Sequence, residues 1–152
     1  MVTWQLTIDT NDPTRLATFW APLLGYEPTP PPEGFDSWVA WYRSVGVPED
    51  ELSDVGPDYC DRIHDPAGHG PRIWFQIVPD AKVGKNRLHL DLYPTGPDRS
   101  SLSMAERRDI VEARVAELLE AGASVARRNE APGAGSYFVV MHDPEGNEFC
   151  VA

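Results

Sequence analysis

The chain has 152 residues, with 13 Lys and Arg against 24 Asp and Glu and a formal net charge of −11. That balance argues against a nucleic-acid partner or an anionic membrane surface, since both are bound by basic side chains, and it favours a cationic ligand over an anionic one. The length suits one domain with a proper core, and no apolar run approaches the roughly 20 residues of a membrane span.

The opening Met1-Val2-Thr3-Trp4 lacks the basic and apolar parts of a signal peptide. Two cysteines, Cys60 and Cys150, are too few for a disulfide framework, so the chain reads as cytoplasmic with free thiols. Residues 2–9 alternate as a half-buried strand, with Trp4, Leu6 and Ile8 on one side and Thr3, Gln5, Thr7 and Asp9 on the other. Asp12 caps a helix with Pro13 at its first position, a stripe of Leu16, Phe19, Trp20, Leu23 and Leu24, and Gly25 as its stop. Pro22 predicts a kink or break in the last turn. Residues 28–34 read as a Pro-rich loop, Ser37–Tyr42 as a strand, and 44–57 as an acidic insertion. Tyr59–His64 and Arg72–Val78 read as strands joined through Asp65-Pro66-Ala67-Gly68, a type I turn sequence.

Residues 79–86 link this half to a second that repeats the order. Arg87–Tyr93 is a predicted strand, and Ser103-Met104-Ala105-Glu106 is a capping box opening a helix over 104–121. Val111, Val115, Leu118 and Leu119 line that helix, which ends near Gly122. Ala123–Arg127, Tyr137–His142 and Asn147–Val151 supply three more strands. The duplication is visible in residues: His64-Asp65-Pro66-Ala67-Gly68 recurs as His142-Asp143-Pro144-Glu145-Gly146, and Gln5–Asp9 alternates like His89–Tyr93. Two copies make a duplicated supersecondary unit rather than a solenoid.

Strand parity separates two faces. Leu88, Leu90 and Leu92 should meet the helix, while Arg87, His89, Asp91 and Tyr93 look away. The same parity places Gln5, Thr7, Trp74, Gln76, Glu148 and Cys150 on the face without helices, where related halves would curl around a cleft. His89 beside Asp91 has the chemistry of a base with its orienting carboxylate, or of a structural His bonded across the sheet. Cys150 reads as a ligand, a reactive thiol or a small buried apolar residue. Trp74, with Trp38 or Trp41, reads as an aromatic wall or as core. Lys82, Lys85 and Arg87 read as an anion clamp or a solvated linker.

The paired β-α-β-β-β order with a terminal Asp-Pro-x-Gly hairpin resembles the vicinal oxygen chelate superfamily. The segments Lys82–Leu92 and Asp143–Cys150 are similar to its glyoxalase-like domain family. The resemblance implies an α+β fold in which two pseudo-symmetric βαβββ modules, 1–78 and 87–152, form a curved mixed-sheet cup as one domain over 1–152. It also implies a homodimer, and four strand positions converging on a divalent metal. Those positions fall on Gln5, Gln76, His89 and Cys150. His89 and Cys150 suit zinc, but the usual His and Glu set is absent, as is the two-His-one-carboxylate triad of non-haem iron. No cofactor is therefore expected, and an ion that did bind would take those four residues.

The reading that follows is a glyoxalase-like protein holding a small organic ligand with Gln5, Thr7, Trp74, Gln76 and Cys150. If it is an enzyme, it is a lyase or isomerase using His89 and Asp91, and not an ordinary metal-dependent lactoylglutathione lyase. The alternative is a metal-free protein of the bleomycin-resistance type that sequesters a drug or toxin.

Overall fold

The computed structural model describes residues 2–53, 55–56, 58–97, 101–131 and 136–152, with the backbone alone at 131. Positions 54 and 57 of the acidic insertion lie outside the described residues. The chain divides into two compact units, Met1–Ala81 and Lys82–Ala152. Among the described residues the fold is α+β, with two open four-stranded mixed sheets and three helices.

The first unit runs β1 (Gln5–Thr10), α1 (Pro13–Leu24), β2 (Glu27–Pro28), α2 (Trp38–Ser44), β3 (Arg62–His64) and β4 (Arg72–Ile77). The second runs β5 (Asp91–Leu92), α3 (Met104–Glu120), β6 (Ser124–Ala131), β7 (Ser136–His142) and β8 (Glu148–Val151). The sheet orders are β1-β4-β3-β2 and β5-β8-β7-β6, so each unit has the same connectivity. In both, the first strand lies parallel to the last, and the other pairs are antiparallel. The strands at 5–10 and 91–92 are thus topological equivalents, as the repeat requires.

Local chemistry explains the helix ends. Asp12 accepts from Arg15 N at 3.0 Å, and Gly25 closes α1 in the left-handed region at φ 69°. Tyr26 N then reaches back to Ala21 O at 2.8 Å, the longer bond of a Schellman closure. Pro22 does not break α1, which continues to Leu24. Its ring is exposed, and the helix continues past the one N–H it lacks. Ser103 and Glu106 cap α3 reciprocally, as the sequence predicts. The two Asp-Pro-x-Gly turns also match: Gly68 N bonds Asp65 O at 2.9 Å, and Gly146 N bonds Asp143 O at 3.0 Å. Backbone N–H groups of Gly70, Ala67 and His69 hold the Asp65 carboxyl below its usual range.

Five further expectations are corrected. Ser37–Tyr42 is not a strand: Ser37 accepts from Ala40 N at 3.1 Å and caps helix α2, and the second strand of the first unit is the two-residue β2. The predicted strand over Tyr59–His64 forms only at β3. The predicted strand over Arg87–Tyr93 shortens to β5, and just before its predicted start Asn86 N donates to the Glu148 carboxylate. Leu88 consequently lies outside the ladder and is 83% exposed, not turned to the helix. Trp4 precedes β1 and is also exposed.

In the first unit Leu16, Phe19 and Trp20 of α1 are buried with Ile63, Ile73 and Phe75 of the sheet. In the second, Val111, Val115 and Leu118 of α3 are buried with Val139, Met141, Phe149 and Val151. This alternation leaves Arg62, Trp74 and Gln76, and Glu148 and Cys150, on the faces turned away from α1 and α3.

Candidate functional sites on the two sheets

In the first unit the parallel register sets Gln5 beside Arg72, Thr7 beside Trp74 and Asp9 beside Gln76. Paired residues share a face, so Gln5, Thr7, Trp74 and Gln76 lie together, with the first two exposed and the latter two half-buried. Arg62 stands opposite Trp74 across the β3–β4 pair and joins this face. Helix α2 packs over it, with the Arg62 guanidinium 3.9 Å from the Trp38 ring centroid. Because α1 packs against the opposite parity, the two helices flank opposite faces of the sheet.

Under this face lies Asp61, whose side chain is 2% exposed. Its Oδ1 accepts from Arg62 Nε at 2.7 Å. Its Oδ2 accepts from Arg62 Nη2 at 2.9 Å, from Trp74 Nε1 at 3.3 Å and from the Tyr42 hydroxyl. Arg62 Nη2 also donates to the Tyr42 oxygen at 2.7 Å. Burial, and then the hydrogen bond to Asp61, pushes the Tyr42 phenol well up; burial and the Asp61 charge do the same to Tyr59. Both phenols stay protonated at neutral pH. The sequence reading missed Asp61, Arg62 and Tyr42. Alternation from Ile63 and His64 would have placed Arg62 beside Trp74, but nothing local announces that Asp61 is buried.

In the second unit the structure brings His89, Asp91 and Cys150 together. His89 Nε2 lies 3.1 Å from Asp91 Oδ1, with about two-fifths of each side chain exposed. Asp91 pairs with Cys150 across β5–β8, and Cys150 N bonds Leu90 O at 2.9 Å, which locks the register. Burial raises the Cys150 thiol, and so do the charge of Asp91 and a hydrogen bond to its carboxylate. The thiol is therefore a donor at neutral pH. Two residues earlier on the same face, Glu148 accepts from Lys85 Nζ at 2.6 Å, and this bond holds its carboxyl below the usual range. Lys85 is thus spent on Glu148. His64 has a structural partner, with Nδ1 3.2 Å from Thr29 Oγ1.

One potential ligand atom from each of His89, Asp91 and Cys150 lies within 4.8 Å of the others. An imidazole nitrogen, a carboxylate oxygen and a thiol sulfur are a donor set that fits a divalent ion of the zinc class, with room for a further ligand. Asp91 supplies the carboxylate that the sequence reading found missing at the strand positions it considered. The arrangement is compatible with a metal, and Asp91 belongs to the donor set.

The glyoxalase-like domain family matches residues 5–152. No curated protein matches the chain. Among solved structures, the fold is similar to a glyoxalase/bleomycin resistance/dioxygenase family enzyme from Burkholderia phytofirmans PsJN, at 16% identity and TM-score 0.55, covering 97% of this chain and 94% of that one. It is similar to a hypothetical protein from S. aureus at 14% identity and TM-score 0.56, covering 99% and 93%. It is also similar to a fosfomycin resistance protein, FosX, from Listeria monocytogenes at 10% identity and TM-score 0.53, covering 99% and 90%; that protein was crystallised with Mn(II) and 1S,2S-dihydroxypropylphosphonic acid.

Proposed function

The chain belongs to the glyoxalase-like domain family, and on that premise we propose that it binds a small organic molecule and transforms it by proton transfer at His89, as a lyase or isomerase. The observation that carries this reading is the 3.1 Å contact between His89 Nε2 and Asp91 Oδ1. With Nε2–H donating to Asp91, Nδ1 holds the lone pair and is the proton acceptor. The Asp91 carboxylate orients the ring and stabilises the imidazolium that forms, a division of labour general to base–carboxylate pairs. Cys150 donates to the same carboxylate and restrains it. Gln5, Thr7, Trp74 and Gln76 form the ligand-binding face of the first unit.

A divalent ion would be held by His89, Asp91 and Cys150, and when bound would polarise a ligand oxygen. The proton transfer itself needs only His89 and Asp91. We read 1–152 as one glyoxalase-like domain, acting as a cytoplasmic homodimer. Exposed Trp4 and Leu88, at 68% and 83%, support burial against a second copy. Both cysteines are free, in keeping with a reducing compartment, and no helix among the described residues is long and apolar enough to cross a membrane.

The test is deuterium uptake at carbon next to the carbonyl in a set of small α-hydroxycarbonyl compounds in D2O. The wild type is expected to accelerate exchange of at least one, and Asp91→Asn to slow it by about 10²-fold or more, the usual worth of positioned acid–base catalysis. Exchange that is the same in Asp91→Asn would overturn the assignment. Tight binding without exchange of any compound would favour the sequestering alternative.

A further inference from the structure

Arg62 is held in one orientation by three independent restraints. Its Nε and Nη2 form a two-pronged bond to buried Asp61, its Nη2 also bonds Tyr42, and its flat face lies on Trp38. A guanidinium fixed in this way has lost its rotamer freedom before any ligand arrives, so it can donate further bonds at little entropic cost. Nη1 has no protein partner among the described residues, and the side chain keeps 26% of its surface exposed. Around it, Trp41, Tyr42, Tyr59 and Trp74 are all only partly buried. Trp74 is tied to the same Asp61 oxygen as Arg62, so its indole edge and the guanidinium are fixed relative to one another.

We propose that Arg62 is a ligand anchor whose free Nη1 edge takes a carbonyl oxygen of a planar, uncharged aromatic molecule stacked on Trp74. The aromatic surroundings select a flat ring, which stacks at small conformational cost. The unpaired Nη1 donors select an acceptor. Asp61 already neutralises the guanidinium and the chain carries a net charge of −11, so an uncharged carbonyl is preferred to a carboxylate. Asp61 is then a positioning residue, acting through Arg62 and Trp74. The inference rests on the reading of the Trp74 face as a ligand surface, and not on chemistry at His89.

Calorimetric titration with three probes of one size tests it: 2-acetylnaphthalene, 2-ethylnaphthalene, which lacks the acceptor, and 2-naphthoate, which is charged. The wild type is expected to bind the acetyl compound about tenfold or more tightly than the ethyl compound, the usual range for a bond to a charged donor, and more tightly than the naphthoate. Arg62→Met alone would strand a buried carboxylate, so the double variant Asp61→Asn/Arg62→Met is used. It should bind the acetyl and ethyl compounds equally, with an unchanged far-ultraviolet dichroism spectrum reporting an intact fold. Arg62→Lys should lose most of the acetyl preference, since a single ammonium does not reproduce the fork. No binding of any probe, equal acetyl and ethyl affinities in the wild type, tighter naphthoate binding, or an acetyl preference surviving in the double variant would each overturn the proposal. The titration reads no turnover, so failure of proton exchange at His89 leaves this result standing, and failure here leaves that one standing.

Discussion

Replacing Asp61 by Ala removes the one acceptor shared by Arg62, Tyr42 and Trp74. Breaking a buried ion pair by deleting one partner costs about 3–5 kcal/mol, because the surviving charge is left uncompensated. The Arg62 side chain is 26% exposed, so water recovers part of this, and the term falls to roughly 2–3 kcal/mol. The Tyr42 and Trp74 donors are only half-buried and add about 1 kcal/mol together. The expected loss is therefore about 3–4 kcal/mol, or roughly 6–16 °C in Tm for a chain of this size. Urea unfolding followed by tryptophan emission is the assay, since Trp4, Trp20, Trp38, Trp41 and Trp74, all five tryptophans, lie in the first unit. The double variant Asp61→Ala/Arg62→Met should recover most of the loss, because removing both charges removes the stranded one. A single variant less than about 1 kcal/mol below the wild type, or a double variant as unstable as the single, would show that Asp61 does not hold this cluster together.

Alkylation of Cys150 by iodoacetamide should show a midpoint above the ordinary thiol value of about 8.5, and Asp91→Asn should bring it down, since burial and then Asp91 raise the thiol; an unchanged midpoint in that variant removes Asp91 as a cause. Zinc at about 100 μM should protect Cys150 from the same reagent in the wild type and not in His89→Ala, if the three donors act together; unprotected wild-type thiol contradicts the fit. The Glu148 carboxyl is depressed in the fold by Lys85, so its stabilisation is complete above the unfolded value of about 4.3 and is lost as pH falls below it. Glu148→Gln should flatten that acid-side loss in denaturant midpoints measured from pH 6 to pH 3. At Gly70 an added Cβ would lie 2.0 Å from the Tyr26 hydroxyl oxygen, so Gly70→Ala should destabilise by about 1–3 kcal/mol and Tyr26→Phe should restore part of it.

What the sequence reveals here follows from how local each signal is. Asp12, Pro13 and Gly25 bound α1, and Ser103 with Glu106 opens α3, because caps are settled within a turn of chain. The two Asp-Pro-x-Gly turns are local in the same way. Helix α2 escapes, since Trp38-Val39-Ala40-Trp41-Tyr42 is too short and too uniformly apolar for its period to decide between strand and helix. The length of β5 escapes as well, because it is set by pairing with β8, far along the chain. His89 and Asp91 were legible from parity two residues apart, and Cys150 from its place after the second turn. Asp61 and Arg62 were not, because their setting is made by α2, which the sequence pattern presents as a strand.

Whether His89 is the base is read from the exchange rate of the best-exchanged compound in His89→Ala, measured beside the urea midpoint of the same protein. The rate is expected to fall by about 10²–10⁴-fold with the midpoint unchanged, since the His89 side chain is 42% exposed and supports no core. A rate within about threefold of the wild type, or a rate that falls only in step with unfolding, would contradict that role.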